Sequence, residues 1–90
     1  MNFVWDQNNR ANHSRHGIVF EDAIRIFKQP NLEKVDDRFD YGNIRVYAIG
    51  VVDGLEITVI YTDVLETERR IISACRAERH ERTAYWQSPG

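Results

Sequence analysis

Residues 69 to 82, RRIISACRAERHER, hold five of the chain's twelve Lys and Arg residues, although the net charge is -2. Arginine carries a planar, permanently charged fork of donors that matches phosphate oxygens two at a time. A run of arginines with His80 among them can grip a phosphate and exchange a proton near neutral pH. The same run also fits a solvated helix face, with Glu78 and Glu81 as partial counter-charges. Spacing alone leaves both readings open.

The elements that carry these side chains bear on the choice. Residues 69 to 75 have the β-branched content of a strand. Strict alternation puts Arg70, Ile72 and Ala74 on one face and Ile71, Ser73 and Cys75 on the other. A helix is predicted over about 76 to 86, with Arg76, His80 and Thr83 on one side and Arg79 at its edge. Ala77, Ala84 and Tyr85 then form its core stripe. In the upstream strand, NIRVYAIG, Arg45, Tyr47 and Ile49 share a face. Arginines on strands that lead into more on the adjoining helix make a basic surface, and a sheet face with Arg and Tyr suits single-stranded RNA.

Other chemistry is less well supported. Cys75 is the chain's one cysteine, which excludes an internal disulfide, fits a reducing compartment and argues against a structural zinc site. His13 and His16 stand three apart without an acidic or thiol partner nearby, as surface histidines at a helix end do. Asp36, Asp37 and Asp40 lack the full calcium-loop pattern and read as a solvated acidic loop. There is no phosphate-binding loop and no dinucleotide fingerprint. No metal and no cofactor are expected.

Ninety residues suffice for one domain, residues 1–90, with a modest core. An apolar fraction of 42% beside 29% charged residues is that of a globular chain. No apolar run approaches the roughly 18 residues that a membrane span needs. The opening lacks a basic segment followed by an apolar one, so a cytoplasmic location is expected. FVWD reads as a short edge strand, with Asp6 capping a helix over about 7 to 15 that Gly17 closes. FEDAIRIF, with Phe20, Ala23, Ile24 and Phe27 at helical spacing, is a second helix stopped by Pro30. The period then changes to two. A weak strand near 32 to 38 precedes a hairpin of two strands turning at Asp53-Gly54, then the strand at 69 to 75. The prediction is an α+β sandwich: two N-terminal helices and a C-terminal helix on one face of a roughly four-stranded antiparallel sheet.

In order along nearly the whole chain, these motifs resemble the BrnT family of toxins from bacterial type II toxin–antitoxin modules. The opening matches at Trp5, Asp6, Asn12, His16, Gly17, Phe20, Glu21 and Ala23. NIRVYAIG is similar to the family's Arg-aromatic strand and matches at Arg45 and Tyr47. RRIISACRAERHERTAY resembles the family's close and matches at Arg70, Ser73, Ala74, Arg76, Ala77, Glu81, Arg82 and Tyr85. The resemblance implies a RelE-like ribonuclease that arrests growth. It also implies neutralisation by a BrnA-type ribbon-helix-helix antitoxin, with promoter DNA contacted only through that antitoxin. Two positions depart from the pattern. Cys75 stands where the family carries a basic residue, and Val19 stands where it carries a helix-capping Ser or Thr, a cap worth about 1 kcal/mol.

Such a toxin is expected to cut RNA with the RNA's own 2′-hydroxyl and no metal, leaving a 2′,3′-cyclic phosphate. That step needs a proton acceptor, positive charge on the phosphorane and a donor to the leaving oxygen. Arg70 and Arg76, supported by Arg45, are expected to meet the charge, and His80 to carry the proton. Arg69, Arg79, Arg82 and Tyr47 are expected to bind RNA. Two rivals use the same surface. One is a non-catalytic RNA- or ribosome-binding domain; the other is an interaction protein whose basic face serves an acidic partner segment.

Overall fold

A computed structural model of the protein describes residues 2–5, 18–36 and 44–88. The predicted helix over 7 to 15, its Asp6 cap and Gly17, His13, His16, Asp37 and Asp40 lie outside the described residues.

The strongest local signal is the turn. Asp53 and Gly54 both have positive φ, 52° and 80°, the combination a two-residue hairpin turn requires. It joins β3 (Arg45–Val52) to β4 (Leu55–Leu65) in antiparallel register. β5 (Glu68–Arg76) pairs antiparallel with β4, and β2 (Leu32–Asp36) pairs antiparallel with β3. The sheet does not end there. β1 (Asn2–Val4) adds a fifth strand parallel to β5, giving the order β1-β5-β4-β3-β2. The sheet is therefore mixed and five-stranded, not an antiparallel sheet of about four. Side chains help hold this edge: Phe3 of β1 stacks on Phe27 with ring centroids 5.4 Å apart, and Trp5, just after the strand, meets Phe20 edge-on at 5.8 Å.

One face of the sheet, carrying Ala48, Val52, Ile57, Val59, Tyr61, Ile71 and Ala74, is buried with Phe20, Ala23 and Ile26 in the main core. Phe20 and Ala23 come from α1 (Phe20–Ala23), which tightens into a 3-10 turn over Ile24–Lys28 that supplies Ile26. Neither piece has a side-chain N-cap bond; the amides of Asp22 and Ala23 reach the Val19 carbonyl instead. Asn31 Nδ2 closes the other end by donating to the carbonyls of Ile26 and Gln29. Close approach of this helix depends on Gly50. A Cβ there would lie 2.8 Å from Ile26 Cβ.

The C-terminal helix α2 (Arg79–Gln87) packs on the opposite face, against β3. The helices thus lie on both faces and not on one. The reason is in β3 itself: Ile49 belongs to the face away from the main core, and it is only 3% exposed, so something must cover that side. α2 begins three residues later than predicted. Arg76 still belongs to β5, Ala77 is buried at the junction with its amide donating to the Glu56 carbonyl, and Glu78 and Glu81 form a capping box. No helix among the described residues is long and apolar enough to cross a membrane.

Candidate nucleic-acid interface

The face covered at one end by α2 collects most of the chemistry. Strand register settles which residues share it. Thr62 pairs with Arg70, Ile60 with Ser73 and Thr58 with Cys75. Tyr61 pairs with Ile71 and Ile60 with Ser73, so the register shifts by one residue at Ile72. This β-bulge reverses the alternation that unbroken pairing would give. Arg70, Ser73 and Cys75 therefore share a face, while Ile71 and Ala74 enter the core. The predicted grouping of Arg70 with Ile72 and Ala74 fails for that reason.

Continuing β3's register one step past Val46 and Tyr61 sets Arg45 beside Thr62. Arg45, Thr62 and Arg70 then form one row across three strands, with Asp36 of β2 outside Arg45. The two arginines flank β4 at about twice the strand spacing, or about 10 Å, within which two long side chains can converge on one anion. The Arg70 side chain is exposed and makes no hydrogen bond or ion pair among the described residues. The next row holds Lys34, Tyr47, Ile60 and Ser73. Between this row and α2 lies a cleft of about 360 Å³ lined by Lys34, Asp36, Tyr47, Ile49, His80 and Glu81 among others. His80 is well exposed, with Nδ1 3.5 Å from Glu78 Oε2. Arg45, Arg70, Tyr47 and His80 are thus brought to one side of the molecule.

The other predicted residues are not gathered there. Arg76 pairs in register with Ile57, on the core side of the sheet and at the far end of β5 from Arg70. Arg76 and Arg82 lie near Glu56, and Arg82 Nη1 donates to the Ala77 carbonyl at 2.6 Å. The Glu56 carboxyl is held below its ordinary range, first by the Trp86 indole N–H, 2.9 Å away, then by its own backbone amide and by these two arginines. Arg79 is exposed at the start of α2.

Arg69 is used inside the fold. Its guanidinium lies 3.9 Å from the Tyr61 ring centroid and 4.9 Å from that of Phe27, and it grips Asp63 through two hydrogen bonds of 2.7 and 3.1 Å. Burial opposes its charge, but Asp63 and Tyr61 outweigh that and raise its pKa. Tyr61, desolvated and hydrogen-bonded to Glu33, has its phenol pushed well above the usual tyrosine range. Arg69 is thus tied into the fold through Asp63 and the two rings.

Cys75 faces the site side, next to Thr58 and close to the start of α2. Burial pushes its thiol pKa up, and the charges of Glu81 and Glu78 push it further. It is held as a neutral thiol. Thr58 Oγ1, buried beside it in register, has no hydrogen-bond partner among the described residues. Lys34 carries no local motif, and Asp36, expected in a solvated acidic loop, instead ends β2 at the cleft. Their alternation with exposed Glu33 and Val35 was the available signal, obscured by the acidic character of the stretch that follows.

Comparison with known proteins agrees with this architecture. A solved structure, the ribonuclease toxin BrnT of Brucella abortus, superposes with a TM-score of 0.65 at 29% sequence identity, covering 88% of this chain and 99% of that one. No curated protein matches the sequence. Residues 5–81 match the family model described as the ribonuclease toxin, BrnT, of type II toxin–antitoxin systems. With that match spanning most of its length and the fold in agreement, the chain belongs to the BrnT toxin family.

Proposed function

We propose that this protein is the endoribonuclease toxin of a type II toxin–antitoxin pair, arresting growth in the cytoplasm by cutting RNA without a metal or other cofactor. The observation that carries the reading is the row Arg45, Thr62, Arg70 beside Tyr47 and the His80 cleft. The 2′-oxygen attacks the adjacent phosphorus, the bond to the 5′-oxygen breaks, and a 2′,3′-cyclic phosphate is left. The proton of the 2′-hydroxyl passes to a base and the leaving 5′-oxygen receives one. His80 is the side chain in the cleft suited to both transfers. Arg45 and Arg70 meet the charge that develops on the phosphorane, a contribution of about 2.7–4 kcal/mol for one such group. Tyr47 offers its ring to a base, and Arg79 engages backbone phosphate. Arg76, at the junction with α2, fits a supporting role.

A BrnA-type ribbon-helix-helix antitoxin is the expected partner, covering the basic face and carrying the pair to promoter DNA. A second reading is favoured by one observation, the neutral thiol at Cys75 on the site face. It makes the protein a toxin that binds RNA without cutting it. The deciding experiment incubates partner-free protein with end-labelled RNA in EDTA, beside an Arg45→Ala plus Arg70→Ala variant. Cyclic-phosphate ends from the wild type alone support cleavage. RNA left intact both with and without ribosomes refutes it.

A further inference from the structure

We infer that Lys34 on the edge strand β2 is an RNA-backbone-binding residue, holding the phosphate next to the one that Arg45 and Arg70 grip. The inference rests on the ribonuclease reading and extends its site. Lys34 pairs in register with Tyr47, and both line the cleft beneath His80. Side chains stand roughly perpendicular to a sheet, so Lys34 rises on the same side as Arg45 and Arg70. Its ammonium is exposed and makes no hydrogen bond or ion pair among the described residues. A cation that the fold does not use, at the lip of a cleft, is available to a ligand.

Geometry separates its role from that of the arginines. Lys34 is three strands from Arg70, about 14 Å across the sheet, and lies one row further along in register. Parallel side chains at that separation do not close on one phosphate. With the Arg45 and Arg70 side chains converging over β4, a lysine leaning along the same face reaches a neighbouring phosphate of the strand, and the Tyr47 ring offers a surface to a base. A lysine point charge is enough for a phosphate that is held and not reacting.

The test compares Lys34→Gln, Lys34→Arg and, as a control on the helical turn over the other face, Lys28→Gln. Affinity for a single-stranded RNA made uncleavable by a 2′-deoxy substitution is measured against salt, and cleavage of the normal RNA is measured alongside. Lys34→Gln is expected to reduce the slope of log K against log salt by about 0.7, the loss of one single-strand phosphate contact. It should raise KM several-fold with kcat nearly unchanged. Lys34→Arg should restore both, and Lys28→Gln should match the wild type. A wild-type slope and KM in Lys34→Gln would overturn the inference while leaving the ribonuclease reading intact. Loss of antitoxin affinity with RNA binding unchanged would also overturn it, reassigning the lysine to a protein partner. A wild type that neither binds nor cuts RNA would overturn both.

Discussion

Arg69 and Arg70 are adjacent in sequence and serve opposite faces of the sheet. Arg69 lies 3.9 Å above the Tyr61 ring and holds Asp63 with two hydrogen bonds, whereas Arg70 stands in a row with Thr62 and Arg45 on the side of the cleft. One peptide bond divides an arginine used inside the fold from one on the cleft side of the sheet, because consecutive strand residues point to opposite faces.

The two should separate in experiment. Arg69→Ala removes a desolvated cation–π contact and leaves Asp63 without its partner, so it should cost about 2 kcal/mol of stability. At about 4–8 °C per kcal/mol for a domain of this size, thermal unfolding should fall by about 8–16 °C. Arg70→Ala, exposed and unpaired among the described residues, should change stability by less than about 0.5 kcal/mol while lowering kcat by about 10²–10³-fold. Equal effects of both substitutions on both measurements would refute the division.

Gly50 makes a purely steric prediction. Its added Cβ would meet Ile26 Cβ at 2.8 Å and Ile26 Cγ2 at 3.0 Å, and neither atom sits at the end of a long side chain. Gly50→Ala should therefore push α1 and its 3-10 turn off the sheet at a cost of about 1–3 kcal/mol. Ile26→Gly in the same background, which removes both contacting atoms, should recover part of the loss, a coupling that a double-mutant cycle measures. Simple addition of the two losses would show that the contact is not the cause.

The sequence made some of this legible and withheld the rest for physical reasons. Asp53-Gly54 announced its turn because few residue pairs accept two positive φ angles, and Phe20, Ala23 and Phe27 announced a helix by their period. The bulge at Ile72 left no such mark. A single inserted residue exchanges the faces of everything beyond it, so alternation placed Arg70 correctly relative to Arg69 but misjudged Ser73, Ala74 and Cys75. The pairing of β1 with β5 joins the two ends of the chain, and local pattern carries no information about it. Ile49, an apolar residue beside Arg45 and Tyr47, was the sign that a helix would cover the second face.

Cys75 offers a gain-of-function test. Its side chain stands on the site face, where the family pattern carries a basic residue, and it faces Glu78 and Glu81 as a neutral thiol. Cys75→Arg should place a guanidinium between these carboxylates and the Tyr47 row. RNA affinity at low salt and kcat/KM should both increase, the latter by about 10-fold for each 1.4 kcal/mol of transition-state interaction gained. Cys75→Ser should leave both near the wild-type value. A Cys75→Arg variant that folds normally and gains nothing would mean that charge at this position does not reach the RNA.

Glu56 and Trp86 give a prediction on the acid side. Hydrogen bonding from the Trp86 indole lowers the Glu56 carboxyl below its ordinary value of 4.5. A folded-state pKa below the unfolded one means that folding favours the charged carboxylate. The stability it contributes is present above the ordinary value and is lost as pH falls through the lowered one. Trp86→Phe keeps the ring contact with Tyr85, whose centroid is 4.9 Å away, but removes the N–H. Urea unfolding should then show the wild type more stable than Trp86→Phe at neutral pH, with the difference shrinking as the carboxyl is protonated at lower pH. A difference that stays constant across that range would place the effect in packing instead of in the hydrogen bond to Glu56.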